Sequence, residues 1–321
     1  MAKNNNLHTA KKARNDEFYT MLTDIEKEMR YYKDFFKGKV VYCNCDDARE
    51  SNFFKYFSLN FEFLGLKKLI TTGYKADGKG VVLVYEGDKN GNRRVDNEEI
   101  IVNELNGDGD FRSEECIEYL KQADVVVTNP PFSLFRQYVK QLMNYNKKFI
   151  IIGNTNVATY KEIFPYIKNN QLWVGVTNYN VGMHFYLPNN YEDYKLIDEN
   201  GKKIGRVSTS CWWTNIENKR RNEPIDLYKR YSFEDYPKYD NYDAIEVSNY
   251  QDIPYDYDGV MGVPITFLGH YNPAQFEIID INPHFFSMVE QGLPKPKQLT
   301  LHNVGKKDPY ARILIKKIQQ G

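Results

Sequence analysis

Along the first 150 positions, short apolar runs alternate with longer segments whose apolar residues recur at helical spacing. "KVVYCNCDD", "LKKLITTGY", "ADVVVTNPP" and "KKFIIIGNT" each carry an unbroken apolar core, the pattern of strands covered on both faces. Between them, "SNFFKYFSLNFEFLG" and residues 113–122 and 133–146 read as helices. Residues 16–37 place Leu22, Ile25, Met29, Tyr32 and Phe36 on one helical face, with a cap at Thr20 or Thr23 and a stop at Gly38. "GVVLVYEGDKNGNRRVDNEEIIVNEL" reads as a hairpin with a glycine-containing turn. This alternation predicts an α/β fold built on a parallel, doubly wound sheet, whose ligands bind at the carboxyl ends of the strands.

Past about residue 160 the alternation lapses. "KIGRVSTSCWWTN" reads as a hairpin, residues 217–260 are turn-rich, and "VMGVPITFLGHYNPAQFEIIDI" offers two further strands. The expected organisation is therefore a sheet domain over 1–215 and a smaller recognition region over 216–321.

Composition narrows the class. With 41% hydrophobic residues in 321, the chain is globular. No apolar run approaches the roughly 20 residues that span a bilayer, and "MAKNNNLHTAKKARNDEF" lacks a signal-peptide centre, so a cytoplasmic protein is expected. The four cysteines fit a reducing compartment, and C-x-C at Cys43 and Cys45 has no companion ligands for zinc. Net charge is zero but segregated. Lys3, Lys11, Lys12 and Arg14 form a basic arm over 1–14; Arg220 and Arg221 lie in a basic stretch at 219–230; residues 295–317 are basic again. Any one such run reads first as a solvated face, yet the segregation keeps nucleic acid in view as a partner.

Three strand ends carry polar clusters: 43–47, 108–111 and 129–132. The last, Asn129-Pro130-Pro131-Phe132, has a specific chemical use. Two prolines stiffen the turn, so the Asn129 amide oxygen and the Pro130 carbonyl can converge on one NH₂ group. An aromatic amine is a poor nucleophile because its lone pair is delocalised. Two accepted hydrogen bonds favour the tetrahedral nitrogen that develops on attack, and Phe132 can stack on the ring. The competing reading is a proline-rich turn with Phe132 in the core. No G-x-G-x-x-G follows any strand, which disfavours a dinucleotide-dependent dehydrogenase.

Taken together, "NDEFYT", "KVVYCNCDDARESNFFKYF", "LNGDGDFRSEE", "ADVVVTNPPFSLFRQYV", "KKFIIIGNTNVATYKEIF", "CWWTN" and "YDGVMGVPITFLGHYNPAQFEI" resemble the EcoRI-type adenine-specific DNA methyltransferases. The likeness runs in one order over nearly the whole chain. It implies a Rossmann-like class I methyltransferase sheet with a smaller C-terminal recognition region. It also implies transfer of a methyl group from S-adenosylmethionine to the N6 amine of adenine in duplex DNA, leaving S-adenosylhomocysteine, with no metal. Asn129, Pro130, Pro131 and Phe132 then form the catalytic turn. Phe18, Tyr19 and Thr20 pack on the methionine end of the cofactor; Cys43, Asn44, Cys45 and Asp46 line its loop; Asp110 and Phe111 meet its adenine.

The stretch 43–47 departs from most methyltransferases in lacking glycine, and "LITTGY" lacks the acid expected to hold the ribose. A flipped target base needs a second flat surface opposite Phe132, for which Trp213 is favoured over Trp212. The implied partners are duplex DNA, contacted through Lys11, Lys12, Arg14, Arg220 and Arg221, and a restriction endonuclease sharing the site. The enzyme is expected to be a monomer. Two rival readings share parts of this pattern: a methyltransferase acting on an RNA base or protein amide, and a catalytically silent sequence-specific DNA-binding protein.

Overall fold

The computed structural model describes residues 18–45, 47–76, 78–187, 192, 194–305 and 307–319. Lys11, Lys12, Arg14 and Asp46 lie outside the described residues. The chain divides into two compact units, one of residues 1–157 and 174–216, the other of 158–173 and 217–321. Residues 158–173, assigned to the sheet domain by their sequence, go with the second unit.

In the first unit the strands are β1 (Tyr19–Thr20), β2 (Val40–Cys43), β3 (Lys68–Gly73), β4 (Val81–Tyr85), β5 (Ile100–Glu104), β6 (Val125–Thr128) and β7 (Lys148–Asn154). They are followed by β8 (Trp173–Val174), β9 (Met183–Tyr186), β10 (Leu196–Ile197), β11 (Lys203–Val207) and β12 (Ser210–Thr214). An eight-stranded sheet has the spatial order β5-β4-β3-β2-β6-β7-β12-β8. The four strands with unbroken apolar runs, β3, β2, β6 and β7, are mutually parallel. Chain order reverses between β2 and β6, so their carboxyl ends flank a crevice. The sheet is mixed rather than wholly parallel. β4 runs antiparallel to β3 and to β5, as the expected hairpin requires, and β12 runs antiparallel to β7.

Both faces are covered. Val41, Val125, Val127, Ile150 and Ile152 join Phe53 and Phe57 of the helix Asn52–Leu59 in one core. Ser51 caps that helix, its Oγ accepting from Phe53 N at 3.1 Å. Each such ring or branched side chain, fully buried, contributes about 1.5–3 kcal/mol. Tyr42 and Val126 alternate to the other face, where Tyr138 of the helix Phe135–Asn144 packs against Phe111. Gly153 lies on that side too: a Cβ there would sit 2.4 Å from the Phe135 ring.

Two local expectations fail. The helix from "DEFYT" onward begins only at Leu22, behind Met21 with no side-chain cap, because Tyr19–Thr20 are drawn into a strand. "KIGRVSTSCWWTN" is not a hairpin: β11 belongs to a separate sheet of order β1-β9-β11-β10, while β12 enters the large sheet. The partly exposed β11 fits a small sheet, and the wholly buried "SCWWT" fits an interior strand.

The second unit is built on β13 (Ile245–Glu246), β14 (Met261–Pro264), β15 (Phe276–Asn282) and β16 (Arg312–Lys317), in the order β13-β14-β16-β15. The helix Phe164–Lys168 joins it through Phe164, 5.7 Å from the Phe286 ring, and through Lys168 Nζ donating to Ser287 Oγ at 2.7 Å.

Candidate active site at the carboxyl ends of the parallel strands

The three polar clusters seen in the sequence meet at one end of the large sheet, joined by specific contacts. Thr128, the last residue of β6, donates its hydroxyl to the main-chain carbonyl of Asn44 just past β2. The Asn44 side-chain oxygen accepts from the Tyr138 hydroxyl. The Tyr138 ring packs edge-on to Phe111 with centroids 4.9 Å apart. Cys45 turns the chain with φ of 67°, a left-handed bend made here without glycine.

The Gly-Asp-Gly-Asp turn is welded to the end of β3. Lys75 N donates to the Asp108 carbonyl at 2.8 Å, and Gly80 N to the Gly107 carbonyl at 2.9 Å. Gly109 has φ of +85°, and a Cβ there would lie 2.3 Å from the Gly73 carbonyl oxygen. Gly109→Ala should therefore cost about 2 kcal/mol or more, from left-handed strain and from pushing the turn off β3. For a chain of this size that is a midpoint lowered by roughly 4–8 °C. A thermal scan matching the parent protein would refute the close approach.

Asp110 is held by Arg112, whose Nε and Nη2 donate to its two carboxylate oxygens at 2.9 and 2.5 Å. These hydrogen bonds keep its carboxyl below the usual range, so it is ionised at neutral pH. The same guanidinium lies 5.4 Å from the centre of the buried Phe111 ring. No acid follows β3. Asp47 instead borders a cavity of about 590 Å³ with Gly73, Tyr74 and Lys75. Its Oδ1 accepts from the N–H groups of Arg49 and Glu50.

Asn129 is buried and oriented. Its Nδ2 donates to the Phe18 carbonyl at 2.7 Å, while its Oδ1, also buried, has no partner among the described residues. Pairing of β1 with β9 supplies that carbonyl: Thr20 faces Phe185 in register, and the Thr20 carbonyl accepts from Asn52 Nδ2 at 2.7 Å. The Phe132 ring, partly exposed, then lies 6.4 Å from Phe18 and 6.5 Å from Phe185. The hydroxyls of Thr20 and Thr71 are buried without hydrogen-bond partners among the described residues. Phe18, Thr20, Cys43 and Asn44 are buried, and Tyr19, Cys45 and Asp110 partly so.

Other expected site residues are placed elsewhere. Trp212 and Trp213 are both 0% exposed, on an interior strand whose two faces are covered, so neither offers an open ring to a base. Trp212 instead packs edge-on to Phe53 at 6.3 Å. The aromatic neighbours of Phe132 are Phe18 and Phe185, and Phe185 was missed because "MHFY" reads as an ordinary alternating strand. Arg221 is likewise no surface contact: its side chain is 8% exposed, pairs with Glu217 at 2.5 Å, and stacks 3.8 Å over Trp173. Arg220 remains partly exposed. Tyr138 and Asn52, which orient the site, carried no signal beyond helical patterning. Burial pushes the Cys211 thiol up, leaving it an inert core group.

The family described as "Adenine-specific methyltransferase EcoRI" matches residues 6–318. The chain is 48% identical to the type II methyltransferase M.EcoRI of Escherichia coli, over 98% of this chain and 97% of that protein. It is 39% identical to M.MgeORF184P of Mycoplasma genitalium, over 97% and 98% of the two chains. Against M.MpnI of Mycoplasma pneumoniae the identity is also 39%, over 97% of each. Both Mycoplasma proteins are named type II methyltransferases. With its three strand-end clusters joined around Asn129 and the match spanning nearly its whole length, this chain belongs to the EcoRI adenine-specific methyltransferase family.

Proposed function

We propose that the chain methylates the N6 amine of adenine at a specific site in duplex DNA, using S-adenosylmethionine. The observation that carries this reading is the buried, unpartnered Asn129 Oδ1 at the end of β6, with its Nδ2 pinned by the Phe18 carbonyl. A buried acceptor fixed in orientation this way can take a hydrogen bond from an incoming amine at little reorganisation cost.

The residues also fit the cofactor. The strand-end crevice carries unpartnered buried hydroxyls at Thr20 and Thr71, a polar cavity bordered by Asp47, and aromatic rings at Phe18, Phe132 and Phe185. When bound, S-adenosylmethionine supplies an electrophilic methyl on a sulfonium. The face of Phe132 holds the adenine ring in line, while Asn129 Oδ1 and the Pro130 carbonyl accept from its amine. The methyl would come from the bound sulfonium, and Asn129 Oδ1 and the Pro130 carbonyl would hold the amine with its lone pair localised for attack. The amine proton then leaves to water, so no strong base is needed. Paired adenine cannot reach this turn, so the base must leave the stack at a cost of a few kcal/mol.

The sheet order supports a Rossmann-like catalytic domain, with the second unit as the recognition region. No helix among the described residues is long and apolar enough to cross a membrane. In this reading the enzyme acts as a cytoplasmic monomer beside an endonuclease of the same site. The test is methyl-labelled S-adenosylmethionine offered to mixed-sequence duplex DNA, total RNA and protein extract separately. Label should appear in DNA as N6-methyladenine. Label in RNA or protein alone would overturn the assignment.

A further inference from the structure

The loop between β4 and β5 carries a sequence pattern that methyl transfer does not use. Residues 88–99 read "DKNGNRRVDNEE". Asp88, Asn90 and Asn92 fall at the first, third and fifth places of an EF-hand-type calcium loop, Asp96 at the ninth and Glu99 at the twelfth. The seventh place, which ligates through its carbonyl, is Arg94. One place departs: Arg93 stands where such loops have glycine, yet its φ of 62° makes the left-handed turn that glycine would provide. The side chains turn inward on the same plan. Asp88 accepts from the N–H groups of Gly91 and Arg93 at 2.7 and 2.6 Å. Asp96 Oδ2 accepts from the amides of both Asn90 and Asn92, so three side chains meet at one point. Glu99 reaches back across the loop to the N–H groups of Lys89 and Asn90.

The charge balance points to a cation independently of the spacing. Glu99 is 8% exposed, and neither it nor Asp88 or Asp96 makes a salt bridge among the described residues; Lys68 and Lys89 pair with Glu86 instead. A buried carboxylate without a counter-charge is costly. The uncompensated field reaches the core: burial, then the charges of Glu99, Asp88, Glu62 and Asp96, push the Tyr85 phenol up to about 12. No trio of acid, histidine or cysteine side chains among the described residues could hold a metal by itself, so amide and carbonyl oxygens must complete the shell. A mixed oxygen set on a flexible loop suits calcium, whereas magnesium demands a tighter octahedron and keeps its waters.

We propose that residues 88–99 bind a calcium ion through the side chains of Asp88, Asn90, Asn92, Asp96 and Glu99 and the Arg94 carbonyl. The ion staples the β4–β5 hairpin at the end away from the crevice, since Val81 and Glu104, paired at the other end, border the Asp47 cavity. It takes no part in methyl transfer. The test uses the full-length protein, stripped with a chelator and titrated by calorimetry with calcium chloride and, separately, magnesium chloride. Calcium should bind at one site with Kd of about 10⁻⁵–10⁻³ M, and magnesium at least about tenfold more weakly. The thermal midpoint should rise with calcium and fall back when chelator is added. Asp88→Asn and Asp96→Asn, which keep the side-chain shape and remove one charge each, should both weaken calcium binding by about tenfold or more. No binding and no midpoint shift up to about 10⁻² M calcium would overturn the proposal. Wild-type affinity in both variants would do the same, since the ion would then sit elsewhere, as would magnesium bound as tightly as calcium. If Asp88→Asn fails to fold, Asp96→Asn carries the test.

Discussion

Asn129→Ala is expected to lower methyl transfer by roughly 10²–10³-fold, the scale seen when one preorganised hydrogen-bonding group is removed from an active site. The loss should fall on turnover, because Asn129 Oδ1 is a buried acceptor without a partner among the described residues, so its removal forfeits no hydrogen bond among them. The Phe18 carbonyl does lose its donor, 2.7 Å away, which adds a stability cost of about 1–2 kcal/mol. That smaller effect must be separated from the larger one. Single-turnover rates at saturating cofactor and DNA, with S-adenosylmethionine affinity by titration, make the separation. Unchanged single-turnover rates would remove Asn129 from the chemistry. A fall in rate matched by an equal fall in cofactor affinity would make it a binding group instead.

Glu246→Ala should destabilise the second unit by about 3–5 kcal/mol, the usual consequence of stripping one partner from a buried ion pair. Glu246 is 5% exposed on β13 and receives Arg312 of β16 through Nη2 at 2.7 Å and Nε at 3.1 and 3.0 Å. The Tyr239 hydroxyl donates to the same carboxylate, and burial, with that charge beside it, raises the phenol well above its ordinary value. Removing the carboxylate leaves the largely buried guanidinium without its counter-charge, only Nη1 still donating to the Tyr310 and Ala311 carbonyls. Replacing both partners with apolar residues, as Glu246→Leu with Arg312→Met, should recover most of the loss because no charge is stranded. Urea unfolding checks both variants. A single substitution costing under about 1 kcal/mol would rank the pair with exposed surface bridges.

Much of this architecture was legible in local chemistry. Unbroken apolar runs such as Val125-Val126-Val127 predicted interior strands, because only strands covered on both faces dispense with alternation. Ser113 and Ser51 marked helix starts through the N–H groups they cap. The Asn-Pro-Pro-Phe turn stood out by composition as a candidate site, since two residues without N–H groups and one amide have few structural reasons to end a buried strand.

Contacts between distant segments lay beyond that reach. Nothing in "CWWTN" tells whether its indoles face a pocket or a core, because that depends on which strands flank β12. Arg220 and Arg221 are indistinguishable by type, and only the turn capped by Asn218 sends one to Trp173 and leaves the other beside a cavity of the second unit. The orientation of Asn129 likewise comes from Phe18, 111 residues earlier, brought there because the adjoining Tyr19–Thr20 pairs with Phe185–Tyr186. Short-range propensity is encoded in neighbouring residues, whereas the partner of a buried polar atom is set by where the chain returns.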